Sequence, residues 1–133
     1  MNAPERLRAH PENRIAFPVM VVDLKAAAAQ LRAEPHPAIA GHRQIAIARH
    51  GPVTIILFVF EADGFIKEHR AEGEVTIQVL AGRLQILAED EGHELKAGEL
   101  MALAPGISHS VRAVAPSEML LTVHLLPDDE AKA

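Results

Sequence analysis

The feature that most constrains this chain is a change of texture at His42. From there to Leu125, short runs rich in Val, Ile and Leu alternate with brief polar breaks. The breaks are Gly51-Pro52, Asp63-Gly64, Glu72-Gly73, residues 89–92, Ala97-Gly98, Pro105-Gly106 and Pro116-Ser117. Gly and Pro supply the backbone angles that tight turns need, so each break ends one strand and begins another. The spacing predicts strands over 43–49, 53–61, 66–69, 75–81, 82–88, 93–96, 100–103, 108–113 and 119–125. Short strands at this regular spacing build an antiparallel sandwich or barrel. Beyond Glu34 no segment has helical periodicity, which argues against a parallel sheet with crossover helices. Residues 54–60 are almost continuously apolar, as expected of a central strand buried on both faces.

Upstream the pattern differs. Residues 1–14 are polar, contain Pro4 and Pro11, and read as an arm without a signal-peptide core. Residues 15–22 are apolar and β-branched and read as a strand. Asp23 is placed to cap a short helix over 23–33, whose Leu24, Ala27, Ala28 and Leu31 fall on one face. Pro35 and Pro37 end it. The expected organisation is therefore an arm at 1–14, a strand and short helix at 15–42, the barrel at 43–126 and an acidic tail at 127–133.

Composition removes several function classes. At 133 residues the chain suits a single domain with one core. Aromatics are only 3% of it, with no Trp or Tyr, so the core must be aliphatic and base-stacking platforms are absent. The net charge of −5 and the lack of a basic cluster argue against nucleic-acid binding. Without Cys there are no disulfides, thiolate metal sites or cysteine nucleophiles. The apolar run 54–60 is far short of the roughly 20 residues that cross a bilayer, so no membrane partner is expected and the cytoplasm is the default location. No phosphate-cradling glycine loop or nucleophile elbow is present.

Two histidines remain, His69 and His109, each beside a turn and a short apolar run. Their contexts resemble the two sequence motifs of the cupin β-barrels. Val79, Leu80, Ala81 and Gly82 resemble the end of the first motif, and that register places His69 at its first histidine. Ala71 then falls where the family has a second histidine, and Val75 where it has a glutamate; Glu72 and Glu74 are close but miss that position. Gly98, Gly106 and His109 match the second motif, while Ala104 and Ala113 replace its first proline and its asparagine. The resemblance covers residues 43–126. It implies an all-β, cupin-type antiparallel β-barrel (a double-stranded β-helix) with a short N-terminal helix. It also implies a site reduced to two of the family's four metal ligands.

The chemistry left by such a site is limited. A catalytic metal needs about three converging protein ligands, and imidazoles suit Zn, Fe, Ni or Cu. Two neutral ligands imply a labile divalent ion or none. His124, in the last predicted strand, is the best outside candidate for a third ligand. It shares a strand face with Leu120 and Thr122, opposite Leu121 and Val123, and both faces are apolar, so periodicity leaves its direction open. His42 and His50 fall in or beside the first barrel strand, where a histidine is ordinarily a hydrogen-bonded core or rim residue. The expected pocket therefore comprises His69, Ala71, Val75, Gln78, His109, Val111 and His124, although Gln78 suits a solvent-facing position better. The expected function is small-molecule binding by a cupin with a reduced or absent metal site. The alternative is a metal-dependent enzyme of dioxygenase or isomerase type that uses His69, His109 and a non-standard third ligand. A homodimer is expected because residues 15–22 are hard to bury on a small barrel.

Overall fold

A computed structural model describes residues 16–125. Helix α1 (Leu24–Arg32) is followed by nine strands among these residues: β1 (His42–His50), β2 (Val53–Phe60), β3 (Phe65–His69), β4 (Glu74–Ala81), β5 (Arg83–Ala88), β6 (Glu91–Lys96), β7 (Leu100–Leu103), β8 (His109–Ala113) and β9 (Ser117–His124). They form a five-stranded sheet in the order β1-β2-β9-β4-β7 and a four-stranded sheet in the order β3-β8-β5-β6. All the pairings are antiparallel. The two sheets face each other as the walls of one barrel, as the turn spacing predicts, and every predicted strand of the barrel is present to within a few residues. No described helix is long and apolar enough to cross a membrane.

The main core lies between the sheets. In β5 the alternation is strict: Leu84, Ile86 and Ala88 are buried, while Arg83, Gln85 and Leu87 are exposed. These inward residues meet Phe58 and Phe60 of β2, Val75, Ile77 and Val79 of β4, Val111 of β8 and Met119 of β9. The five-stranded sheet also buries part of its outer face. There Leu57 and Val59 of β2, with Ile47 of β1, pack against Ala28 and Leu31 of α1. This second layer is why β2 can be apolar at nearly every position: alternate residues serve two different cores. The Asp23 carboxylate caps α1 by accepting the Ala26 N–H at 3.0 Å, and Arg32 pairs with Glu118 of β9.

Close approach requires glycine at Gly82 and on both sides of the Gly41–Gly64 contact. Gly82 turns β4 into β5 at φ +84°, and a Cβ there would meet Ser117 Oγ at 2.3 Å. Gly41 and Gly64 bring the starts of β1 and β3 together: a Cβ on Gly64 would lie 2.1 Å from the Gly41 carbonyl oxygen. Phe65 N–H donates to the Ala40 carbonyl at 2.9 Å in the same place.

One expectation is corrected. No strand forms over residues 16–22; Phe17, Val19 and Val21 are 53%, 83% and 97% exposed. Pro18 lacks an N–H for a ladder, and the edge strand β1 pairs only with β2. A contact between His50 Nε2 and the Phe17 carbonyl ties the segment down. Ile15, Leu126, the arm at 1–14 and the tail at 127–133 lie outside the described residues.

Candidate functional site

His69 ends β3 and His109 begins β8, and the antiparallel register sets them directly opposite each other. Their ring centroids are 4.3 Å apart with the planes tilted by 57°. The two imidazoles are held in the same way. His69 Nδ1 bonds to the Lys67 carbonyl at 2.9 Å, and His109 Nδ1 to the Ile107 carbonyl at 3.0 Å. A carbonyl oxygen only accepts, so each Nδ1 carries the hydrogen and each neutral ring keeps its free lone pair on Nε2. His109 is 2% exposed, whereas His69 is at the exposed strand end. Burial holds the His109 pKa below its ordinary value, and the neighbouring His69 lowers it further; the hydrogen bond to Ile107 works in the other direction. Near neutral pH the buried ring is therefore an uncharged acceptor.

The pair opens on a cavity of about 740 Å³ between the two sheets. Its wall is largely aliphatic, with Ile56, Phe58, Ile77, Met119 and Leu121 from the five-stranded sheet and Ile66 and Val111 from the four-stranded one. Polar groups are few: His42 and Gln44 of β1, Lys67 and Glu68 of β3, and the two histidines. An apolar pocket with a small number of placed polar groups is the usual form of a small-molecule site.

Of the residues expected in the pocket, His69, His109 and Val111 come together on this wall. The others are elsewhere. Val75 is buried in the main core rather than on the cavity wall, and Ala71 packs beside that core while its carbonyl accepts the Gly106 N–H at 2.9 Å. Gln78 is exposed, because Ile77 and Val79 take the inward positions of β4. His124 is exposed at the end of β9. β9 is paired with β2 over its whole length without a shift, so its alternation is unbroken. Met119 and Leu121 point into the barrel, and Leu120 packs on the helix side. His124 shares the face of Leu120, away from the cavity, and is not a third ligand to an ion held by His69 and His109. Among the described residues, no three His, Asp or Glu side chains converge as a metal site. The residues therefore fit a divalent ion only in part: two Nε2 lone pairs are available, backed by the carbonyl hydrogen bonds that metal-binding histidines ordinarily make. Any further donors would come from water or from a bound molecule.

His42 is the residue that sequence reasoning misplaced. It lines the cavity, its ring lies 5.9 Å from Phe58 and 5.7 Å from Phe60, and its Nδ1 is buried without a hydrogen-bond partner. The signal available in the sequence was its place directly after Gly41, but the approach of Gly41 to Gly64 is a tertiary fact.

The sequence matches no known family profile and no curated relative. Solved structures are similar. A cupin superfamily protein from Desulfitobacterium hafniense aligns with a TM-score of 0.63 at 19% identity, over 68% of this chain and 84% of that one. A conserved protein of unknown function from Streptococcus pyogenes aligns with a TM-score of 0.66 at 20% identity, over 81% and 89%. Salicylate 1,2-dioxygenase from Pseudoaminobacter salicylatoxidans aligns with a TM-score of 0.63 at 15% identity, over 76% of this chain but 30% of that one. At such identities the likeness establishes architecture alone: this chain has the cupin fold.

Proposed function

We propose that this protein binds a small, mostly apolar organic molecule between its two sheets, with the His69–His109 pair as its polar contact. The observation that carries this reading is the aliphatic cavity of about 740 Å³ with the two carbonyl-fixed imidazoles on its wall. Neutral Nε2 atoms favour a ligand that donates a hydrogen bond, a hydroxyl or an amine, over one that presents a bare carboxylate. The same lone pairs also suit a transition-metal ion, and two neutral ligands would hold it weakly. The second reading, a metal-dependent enzyme of dioxygenase or isomerase type, draws on those carbonyl-fixed tautomers and on the dioxygenase among the structural neighbours. Bound, the ion would supply Lewis acidity or redox chemistry, while His69 and His109 would orient it.

Elemental analysis of protein purified without an affinity tag, paired with native mass spectrometry, separates the two. Binding alone predicts substoichiometric, exchangeable metal and a retained or titratable organic molecule. A stoichiometric metal that survives dialysis would favour the enzyme. We also propose a homodimer in the cytoplasm, supported by the exposed Phe17, Val19, Val21 and Ile39. A monomer in sedimentation at micromolar concentration would contradict that assembly.

A further inference from the structure

The cavity wall includes two edge strands, β1 and β3, and no ladder joins them. They meet at one junction, where Gly64 packs on Gly41 and the Phe65 N–H donates to the Ala40 carbonyl at 2.9 Å. From there both run toward the same end of the barrel. β1 ends at His50, opposite Val53; Val53 is opposite His124, and His124 is opposite Glu74, which begins the strand after β3. An inward side chain beside the gap between these strands is open to a molecule entering from solvent.

Gln44 is such a side chain. It is the ladder partner of Phe58, and direct cross-strand partners share a face. Phe58 is buried in the core between the sheets, so Gln44 leaves β1 on the inner face and lines the cavity. It is nevertheless exposed, as the unjoined gap allows. Its amide makes no hydrogen bond or ion pair among the described residues. Gln44 is three residues beyond Gly41 and His69 five beyond Gly64, but β3 takes three steps against two of β8 between Ile66 and His69. Gln44 and the histidine pair therefore stand within about one residue, roughly 3 Å, of the same level, on facing sheets about 10 Å apart.

We infer that Gln44 is a specificity-determining residue of this cavity, its amide hydrogen-bonding a second polar group of the bound molecule across from His69 and His109. A side-chain amide donates and accepts at once, so its best complement is another amide. The ligand class is then an apolar body that carries a hydroxyl and a nearby carboxamide on one side. This rests on the small-molecule reading above and adds a residue outside the two histidine motifs.

The test compares 3-(hydroxymethyl)benzamide with benzyl alcohol, which lacks the amide, by calorimetric titration of the full chain. The wild type is expected to prefer the amide about tenfold, the size of one net hydrogen bond. Q44L, at an exposed position, should fold normally, bind benzyl alcohol as the wild type does and lose that preference. H69A/H109A should weaken both ligands by a similar factor and keep it. In isotope-labelled protein the Gln44 side-chain amide resonance, assigned by its absence in Q44L, should shift with the benzamide and not with benzyl alcohol. A preference unchanged in Q44L, or a wild type that binds both ligands equally, overturns the role of Gln44 and leaves the binding reading intact. A wild type that binds neither ligand overturns both.

Discussion

The two sheets of the barrel do different work. The five-stranded sheet has its inner face on the barrel core and part of its outer face, over β1 and β2, under α1. The four-stranded sheet has one covered face, and its outer side presents Arg83, Gln85, Leu87 and Arg112 to solvent. The histidine pair is on the thinner sheet, where β3 is an edge strand with an irregular register between Ile66 and His69. A strand sandwiched between two cores has no room for a solvent-accessible polar group. A half-covered edge strand can turn one toward a cavity mouth without leaving the ladder, so the outer packing layer belongs to one wall and the histidine pair to the other.

The largest expected effect tests that division directly. Leu57→Ala removes a fully buried side chain from the α1 side of β2 and should cost about 2–5 kcal/mol in chemical denaturation. A loss as small as that of a surface variant would show that the outer layer contributes little. Next, Asp23→Ala should cost about 1 kcal/mol, by freeing the Ala26 N–H at the start of the helix that covers this sheet.

The four-stranded sheet should respond to pH instead. The His109 pKa is depressed in the folded state, chiefly by burial, so the unfolded chain takes up its proton first as pH falls. Stability from this group is complete above the ordinary histidine value of about 6.5 and is lost as pH falls from there through the lower folded value. His109→Asn should flatten that part of the stability curve. An unchanged slope would place the titration elsewhere. The smallest effects belong to the exposed positions: His69→Ala and Leu87→Ala should each shift stability by no more than about 0.5 kcal/mol. A larger loss from Leu87→Ala, read in the same denaturation experiment, would indicate a covered outer face and break the comparison.

The strands were legible because their signals are local. Turn residues sit in the break itself, and the run between two breaks has only one extended path. The two motif histidines were legible through the resemblance to the cupin motifs, because β3 and β8 are far apart in sequence and no turn signal pairs them. Residues 15–22 show where local reasoning fails. Their composition suits a strand, but a strand needs a neighbour, and none is present at that edge among the described residues. His124 illustrates a subtler limit. In a strand apolar on both faces, as β9 is, periodicity cannot say which face is inward.

The sequence by itself therefore determined the antiparallel strands and the capped helix, since each depends on neighbours along the chain, while the barrel and the joint placement of His69 and His109 came from the resemblance to the cupin motifs. Only the tertiary structure decided that His124 faces away from the cavity and that His42 lines it, with its Nδ1 buried and unpartnered. Those directions depend on which face of β9 the helix covers and on how closely Gly41 approaches Gly64. Both are contacts between residues distant in sequence, and no local propensity encodes them.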